Sequence, residues 1–254
     1  MPRLLKNMES MTIDKLIDMA YDPYLPAMEM TIPTLVTAYN QSPSKDSKLE
    51  EVIETLSAWD YAVSKESIGM TIGHFYCQYF LKDGDFPKGL SPMQKIEYIA
   101  KSSPDTEKIA TLKKSIDHVS RDFGTWKTPW GEISRFQRLN GDIDHQFDDD
   151  APSIPVGMST ARWGALAAYG MRTSQKTKRI YGTRGNSFIA AVEFGEKVKA
   201  KSLLAGGQSG DPASPHFYDQ AQLYADGVFK DVLYYKEDVA NNAKEKYNPG
   251  KKPS

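Results

Sequence analysis

The sequence predicts an α+β protein in which the helices precede the strands. Up to about residue 119, apolar residues recur at the three- and four-residue spacing of amphipathic helices. After Gly124 the apolar residues form short runs that are typical of strands. Helices and strands do not alternate, as they would around a parallel sheet. We therefore divide the chain into a mainly helical segment (1–123), a strand-rich segment (124–236) and a polar tail (237–254).

The helical spacing predicts six helices in the first segment. They cover residues 11–20, 27–39, 47–59, 66–80, 92–100 and 106–119. Thr12 is placed to cap the first helix, and Ser91, followed by Pro92 at the first helical position, is placed to cap the fifth. Pro33 has no amide hydrogen and is expected to kink or break the second helix. The fourth helix is rich in isoleucine, methionine and aromatic residues and is predicted to be buried.

Four strands are predicted in the second segment. They cover residues 130–139, 186–194, 198–205 and 232–235. The strand at 186–194 is an almost unbroken apolar run, which indicates a strand covered on both faces, and the strand at 198–205 is its hairpin partner. Such a sheet needs a covering layer on each side, and the helical segment supplies only one. Part of the fold is therefore expected to lie outside this chain. The tail is predicted to be helical up to about Tyr247 and to fray beyond it.

Composition argues against several classes of function. The 254 residues carry 32 basic and 33 acidic side chains, a formal net charge of -1. No field of one sign is therefore available to attract nucleic acid or an anionic membrane. No run of about 18 apolar residues is present to span a membrane, and the N-terminus lacks the apolar region of a signal peptide. The single cysteine, Cys77, permits no intrachain disulfide.

Two loops have compositions found in ligand sites. The acidic loop 142–150 could bind a hard cation such as calcium, although it lacks the residue order of an EF-hand, and a solvated surface loop is the alternative. The segment 182–187 resembles a phosphate loop only superficially, because a strand and not a helix follows it. It is predicted to be a turn that enters the strand at 186–194. No metal or cofactor is predicted.

Candidate nucleophiles are few. Ser209 or Ser214 could form a triad with His216 and Asp219, but no Gly-x-Ser-x-Gly elbow surrounds either serine. The alternative is that His216 ties its own loop together through hydrogen bonds. Cys77 lies among aromatic residues, where a buried inert thiol is expected.

Glu193 lies within an otherwise apolar strand. A buried carboxylate there would need a hydrogen-bonding or charged partner, and a perturbed pKa would make it a functional candidate. The alternative is an outward position on a half-exposed strand. His74 and His118 each lie singly on a helical pattern and are predicted to be packing or surface residues.

The loop from Gly206 to Gln220, which we call the signature loop, is the most informative stretch of the chain. Its density of glycine, proline, aspartate and serine predicts a tightly folded connection. Its signature residues are Gly206, Gly207, Gln208, Ser209, Gly210, Pro212, Ser214, His216, Asp219 and Gln220.

The signature loop closely resembles the C-terminal signature of the penicillin acylase family of N-terminal nucleophile hydrolases. The acyl-homoserine-lactone acylase-like members are the most similar. Segments 124–132, 153–157 and 181–188 resemble the same family, with dense similarity over about 124–236 and weaker similarity over 1–120. The resemblance implies an αββα sandwich, to which this chain would contribute the C-terminal part of the β subunit.

The resemblance also implies an amidohydrolase that cleaves N-acyl amides, such as acyl-homoserine lactones or β-lactam side chains, through an acyl-enzyme. In this family the N-terminal serine of the β subunit attacks the carbonyl, with its own α-amine as the base. That serine and the asparagine of the oxyanion site are absent here, so the chain alone is expected to be inactive. The implied partners are the remaining α and β segments and the small-molecule amide, with no cofactor, nucleic acid or membrane.

Two further properties are implied by the same resemblance. Glu193 takes about the position of a late-strand glutamate that assists catalysis in cephalosporin acylase-like members. The family also implies a periplasmic or secreted location. Two other interpretations stay open at this point: a self-standing, non-catalytic binding or structural domain that retains the acylase scaffold, and a serine hydrolase that uses Ser209 or Ser214.

Overall fold

The computed structural model describes residues 2–6, 10–142, 144–173, 176–248 and 250. Met1 and most of the tail end that was expected to fray lie outside the described residues. The described part is an α+β structure, as predicted. Its helices are α1 (Pro2–Leu5), α2 (Ile13–Ala20), α3 (Pro26–Gln41), α4 (Glu50–Ser57), α5 (Ile68–Asp83), α6 (Pro92–Lys101), α7 (Asp105–Phe123), α8 (Trp130–Ile133), α9 (Ala221–Asp226) and α10 (Lys236–Asn242). Its strands are β1 (Ser134–Phe136), β2 (Ile154–Pro155), β3 (Gly170–Arg172), β4 (Ile180–Arg184), β5 (Phe188–Glu193), β6 (Lys199–Leu204) and β7 (Lys230–Asp231).

The predicted helix caps are confirmed. Thr12 accepts a hydrogen bond from the amide of Lys15 at 3.2 Å at the start of α2. Ser91 and Gln94 form a reciprocal capping box at the start of α6. Helix α7 is followed by Gly124, whose φ of 85° is a left-handed conformation that favours glycine.

Pro33 was expected to kink or break its helix, and a break is not observed. Helix α3 runs without interruption from Pro26 to Gln41. Pro33 lies on the exposed side of the helix, where water can satisfy the carbonyl that loses its amide partner. The opposite face, with Ile32, Leu35 and Tyr39, is buried in the core and holds the helix on both sides of the proline.

The predicted strand at 130–139 is wrong at both of its ends. Trp130–Ile133 form the helical turn α8, and only Ser134–Phe136 are extended. Pro129 precedes the turn, where its fixed φ suits helix entry. The amides of Trp130 and Gly131 donate to Ser67 O and Lys65 O, at 3.1 Å and 2.7 Å. These contacts tie the turn to the residues just before α5.

A four-stranded sheet follows, with the strand order β2-β1-β4-β3. Strands β1 and β4 are parallel, and the other two pairs are antiparallel. Strands β2, β3 and β4 are not predicted from the sequence. The segment 182–187, which was predicted to be a turn, has its first three residues in β4 and its turn only after Arg184.

The hairpin of β5 and β6 is confirmed, and β7 adds a third antiparallel strand beside β6. The last strand is placed wrongly in the prediction: β7 is Lys230–Asp231, and residues 232–235 lie outside it. Helix α10 is shorter than predicted and ends at Asn242.

Strand β5 is not covered on both faces, contrary to the prediction. Phe188, Val192 and Phe194 are 62%, 41% and 85% exposed. The inward face carries Ile189 and Ala191, which alternate with them along the strand. We call the outward side the open sheet face. Cross-strand pairing places six side chains on it: Phe188, Ala190, Val192, Ala200, Ser202 and Leu204.

The main core joins the helices to the first sheet. It contains fully buried aromatic residues, among them Tyr76 of α5, Trp130 of α8 and Trp163 of the turn 161–163, together with Ile180 of β4. A second, smaller cluster underlies the hairpin and includes Tyr169, Leu203 and Tyr224. The main core extends from Leu25 to Ile180 and therefore crosses the segment boundary at residue 123.

Candidate functional site

The signature loop starts and ends at neighbouring points of the backbone. Gly206 follows β6 with a φ of 90°, and its carbonyl oxygen accepts a hydrogen bond from the amide of Gln220 at 2.7 Å. Helix α9 begins immediately after Gln220. Within the loop, the carbonyl oxygen of His216 accepts from the amide of Ser209 at 3.1 Å. The loop is therefore a compact Ω-type loop held by its own backbone.

Three polar side chains stabilise turns inside the loop. Oγ of Ser209 accepts from the amide of Asp211 at 3.1 Å, and Oγ of Ser214 accepts from the amide of His216 at 3.2 Å. The Asp211 carboxylate accepts from the amide of Ala213 at 2.9 Å. These are the local side-chain to backbone bonds that serine and aspartate form in turns. Both serine hydroxyls therefore have a structural role.

His216 pairs with Asp219 and not with a serine. Its Nδ1 lies 2.9 Å from Oδ2 of Asp219, and its side chain is 70% exposed. In the part of the chain that the structure describes, no serine, threonine or cysteine side chain is hydrogen-bonded to a histidine ring. The structure therefore does not assemble Ser209 or Ser214 into a Ser-His-Asp triad.

A cleft of about 300 Å³ lies at the start of the signature loop, beside β1 and β4. We call it the candidate cleft. It is bounded by parts of β1, β4 and α9, by the turn after β4, and by the residue that precedes the loop. Its lining residues are Phe136, Gln137, Arg138, His145, Val156, Tyr169, Gly182, Thr183, Arg184, Gly185, Asn186, Ser187, Ala205 and Tyr224.

The wall of the candidate cleft combines aromatic rings with polar groups. Tyr169 is fully buried, its hydroxyl is hydrogen-bonded to Oγ of Ser134, and burial raises the pKa of this phenol well above its ordinary value. Burial also raises the pKa of Tyr224. Both phenols therefore stay protonated at neutral pH and can serve as hydrogen-bonding groups. Arg138 and Arg184 bring positive charge to the same wall.

Arg138 connects the candidate cleft to the signature loop. Its Nη1 donates to the carbonyl oxygen of Phe217 at 2.6 Å, and its guanidinium lies 4.1 Å from the centre of the Phe217 ring. The hydroxyl of Tyr218 donates to the carbonyl oxygen of Phe136 at 2.9 Å. The loop is thus fixed to β1 and its continuation by two side-chain contacts.

Replacing Arg138 with glutamine is expected to loosen the signature loop. The change removes a charge-assisted hydrogen bond and a cation–π contact at a half-buried position, which together stabilise by about 1–2 kcal/mol. Urea unfolding and limited proteolysis, with cleavage sites mapped by mass spectrometry, measure the effect. The matched control is Arg184→Gln, which removes a cation from the same cleft but contacts no loop residue. Equal proteolysis of the two variants would contradict the assignment.

Glu193 lies away from the signature loop. It is paired with Lys199 in the hairpin register, and its carboxylate is 3.3 Å from Nζ of that lysine. The loop follows the other end of β6, where Leu204 pairs with Phe188. Lys199 and Leu204 are five positions apart along β6, which corresponds to roughly 17 Å. The Glu193 side chain is 40% exposed. It lies on the same side of β5 as Ile189 and Ala191, so it is half-exposed without belonging to the open sheet face.

The acidic loop 142–150 has a structural role in the described residues. The Asp149 carboxylate accepts hydrogen bonds from the hydroxyl of Tyr181 at 2.9 Å and from the amide of Lys178 at 2.7 Å. The ring of Phe147 stacks on Tyr181 with the centroids 4.7 Å apart. Residue 143 lies outside the described part. Within that part, no three His, Cys, Asp or Glu side chains are grouped to hold a metal ion.

The remaining candidates from the sequence are separate from this cleft. Cys77 is fully buried, its Sγ is 3.6 Å from Oγ1 of Thr31, and burial raises the thiol pKa to about 12. His74 and His118 lie on α5 and α7. None of the described helices is long and apolar enough to cross a membrane.

The sequence alone does not reveal the residues that attach the signature loop to the sheet, Arg138 and Tyr218, or the buried Tyr169 of the candidate cleft. Arg138, Tyr169 and Tyr218 have no local pattern that marks them, because their partners are 79, 35 and 82 positions away in the chain. The available signal was indirect: a loop that is dense in special backbone residues needs a fixed anchor on its neighbours.

Comparison with known proteins gives two findings. The family model described as penicillin amidase matches residues 1–241. Among solved structures, a thermostable penicillin G acylase from Alcaligenes faecalis matches with a TM-score of 0.50 and 15% sequence identity. That match covers 100% of this chain and 52% of the acylase chain, so this chain spans about half the length of the structure it resembles.

Proposed function

Because the chain belongs to the penicillin amidase family, we propose that it is the C-terminal portion of an amidohydrolase that cleaves N-acyl amides. The substrates proposed are acyl-homoserine lactones or β-lactams with an acyl side chain. The observation that carries the proposal is the family match over residues 1–241. The structure adds a compact signature loop beside an open cleft of a size suited to part of a small ligand.

Exposed apolar surface on the hairpin supports the proposal that further segments complete the fold. The open sheet face carries Phe188 and Val192, and Phe194 follows directly after the strand with 85% of its surface exposed. Contiguous exposed apolar groups of this kind mark interaction surfaces. The proposed occupant is the remaining α and β segments of the acylase. An unmatched length of about this chain's own size in the similar acylase leaves room for them.

The proposed mechanism places the nucleophile on one of those other segments. An N-terminal serine would attack the amide carbonyl, with its own α-amine as general base, because a free α-amine titrates near neutrality. Backbone amides and an asparagine would stabilise the oxyanion. The present chain would contribute the signature loop, the cleft wall and the hairpin. No described residue of this chain is assigned the role of nucleophile.

The test compares the complete protein encoded at this locus with the isolated 254-residue chain. Both are assayed for amine release from N-acyl 4-nitroanilides, N-acyl-homoserine lactones and acylated β-lactams. We expect turnover by the complete protein and none by the chain alone. N-terminal sequencing of the mature complete protein is expected to find serine at a newly formed N-terminus. Replacing that serine with alanine should abolish turnover.

Two outcomes would overturn the proposal. Turnover by the isolated chain at a rate comparable to a complete acylase would place the nucleophile within it, and phosphonate labelling of Ser209 or Ser214 would identify it. If the locus encodes no further segment, and the chain melts cooperatively as a monodisperse and inactive protein, the non-catalytic binding or structural domain is correct. Recovery of activity in the culture medium or periplasm tests the proposed location.

Glu193 is proposed as a supporting residue of the complete enzyme. If it assists the chemistry, Glu193→Gln lowers kcat about tenfold while KM changes little, because the interaction acts only in the transition state. Glu196→Gln, an exposed glutamate in the same hairpin turn, is the matched control. Equal kcat values for the two variants would remove Glu193 from the mechanism and leave it as the partner of Lys199.

A further inference from the structure

A second cleft, of about 450 Å³, lies between α5 and the β3–β4 pair. We call it the basic cleft. Four cationic side chains line it: Lys82 from α5, Arg162 from the short helical turn 161–163, Arg172 from β3, and Lys178 from the residues before β4. The described residues that line the cleft include no aspartate or glutamate.

These cations have no carboxylate partner within salt-bridge distance in the described part of the chain. Arg162 donates to the side-chain oxygen of Gln78 at 3.2 Å, which is a neutral contact. The carboxylates nearby are already engaged. Asp83 is paired with Lys114, and Asp122 is paired with Arg121 at 2.7 Å and with His118 at 3.2 Å. The cleft therefore has an excess of positive charge that is available to a ligand.

Neutral hydrogen-bonding groups lie beneath the charges. His74 is 2% exposed, and its Nδ1 accepts a hydrogen bond from the indole of Trp163 at 3.1 Å. Its remaining ring hydrogen is therefore on Nε2. In the described residues that N–H has no acceptor, and the ring belongs to the lining of the basic cleft. The hydroxyl of Tyr79, which is hydrogen-bonded to Nδ1 of His118, is a second polar group in the wall.

One side of the basic cleft is apolar. Phe75, Met171 and Ile180 line it beside the polar groups. A cavity of this volume is larger than an inorganic ion requires and is within the range of small-molecule sites. The cations and the hydrogen-bond donors suit an oxyanion, and the apolar side suits a ring or a short carbon chain. The cleft therefore fits a ligand that carries an oxyanion at one end and an apolar group at the other.

We propose that the basic cleft binds a small organic oxyanion, a carboxylate or phosphate group on an apolar body. Arg162, Arg172, Lys82 and Lys178 hold the charged oxygens. His74 Nε2 donates to the ligand, and Phe75 with Met171 contacts its body. The assignment is independent of the amide hydrolysis proposed above, since it depends only on residues of this chain.

Histidine NMR provides a local test, because the chain has only four histidines. His74 and His118 line the basic cleft, whereas His145 and His216 lie in the candidate cleft and the signature loop. The chain, or the complete protein if the chain aggregates, is titrated with phenylacetate, phenyl phosphate and inorganic phosphate. Ionic strength is held constant with chloride. We expect saturable shifts of the His74 and His118 ring signals and none for His145 and His216.

Two double variants test which residues provide the affinity. The variant that carries both Arg162→Gln and Arg172→Gln is expected to bind about tenfold more weakly or worse, because two charge-assisted contacts are removed. The control, Lys48→Gln with Lys101→Gln, removes two cations elsewhere on the surface and should leave the affinity unchanged. Circular dichroism verifies that each variant is folded.

The relative affinities of the probes identify the class of ligand. Tighter binding of phenylacetate than of phenyl phosphate identifies a carboxylate ligand, and the reverse order identifies a phosphate ester. The proposal is overturned if the cleft histidines show no saturable shift, if chloride alone reproduces it, or if all four histidines shift alike. It is overturned equally if the arginine variant binds as tightly as its control.

Discussion

Acidification from about pH 7 to about pH 5 is expected to lower the unfolding free energy by about 2 kcal/mol through His74 alone. The ring is fully buried on α5, with its centroid 4.7 Å from that of Trp130 and 5.9 Å from that of Trp163. Burial first, and the nearby Arg162 second, lower the pKa of His74 from 6.5 to about 3. The imidazole is therefore neutral in the folded protein throughout this pH range.

The direction of the effect follows from proton binding in the two states. Between pH 6.5 and about 3, the unfolded chain binds a proton at His74 and the folded chain does not. The contribution of His74 to the unfolding free energy therefore rises with pH across this interval. It is fully present above the pKa of the unfolded chain and is lost as the pH falls toward the pKa of the folded protein. Over the whole interval the loss approaches about 5 kcal/mol. Such a loss is comparable to the total stability of many domains.

Urea unfolding of the wild type and of His74→Gln at several pH values measures this contribution. Glutamine does not titrate and can still accept the Trp163 indole hydrogen. We expect the pH dependence between about 7 and 5 to be much smaller in this variant. His118→Gln is the comparison. Burial also lowers the pKa of His118, but this side chain is only half-buried. The carboxylates of lowered pKa, such as Asp46, contribute at more acidic pH. Identical slopes for wild type and His74→Gln would contradict the assignment.

The helical half of the fold could be predicted from the sequence because its signals are local. A cap such as Thr12, the box at Ser91 and the glycine at 124 each act within one turn of their own helix. The uninterrupted helix at Pro33 is the exception, because no local signal predicts it. The sequence states that the amide is missing, but only the packed structure shows that the proline faces solvent.

The strand half was harder to predict because its pairing is not local. Strands β2 and β7 have two residues each, too short for any alternating pattern. The parallel pairing of β1 with β4 joins residues 46 positions apart. For β5, the apolar run correctly predicted a strand. It predicted the wrong burial, because an apolar pattern cannot say whether both faces of the strand are covered.

The candidate site was predicted unevenly for a similar reason. The signature loop could be found from its glycine and proline content, and its internal bonds follow from side chains two or three positions apart. The candidate cleft and the anchor from Arg138 depend on residues that approach only in the folded chain. The sequence predicts that His216 ties its own loop together through hydrogen bonds, and the structure identifies Asp219 as the partner. Only the structure shows that His216 has no serine partner among the described residues.

Replacing Gly207 with alanine is expected to have the largest effect of any substitution in the signature loop. A Cβ at this position would lie 2.1 Å from the carbonyl oxygen of His216 and 2.7 Å from the carbonyl carbon of Phe217. Both are backbone atoms, so no side-chain rotation can relieve the overlap. The two sides of the loop would have to separate, which would stretch the bond between Ser209 and His216. We expect a loss of about 3 kcal/mol in unfolding free energy.

Gly210→Ala is the matched control for this prediction. It lies in the same loop, and a Cβ there meets nothing within 4 Å. Its backbone is also not left-handed, so alanine adds no conformational strain. The control is therefore expected to unfold at nearly the wild-type urea concentration, while Gly207→Ala unfolds earlier and is cleaved faster by protease within 206–220. In the complete enzyme, faster thermal inactivation of Gly207→Ala alone would show that this close approach maintains the active fold. Equal behaviour of the two variants would mean that the loop tolerates separation and that its backbone contacts do not stabilise it.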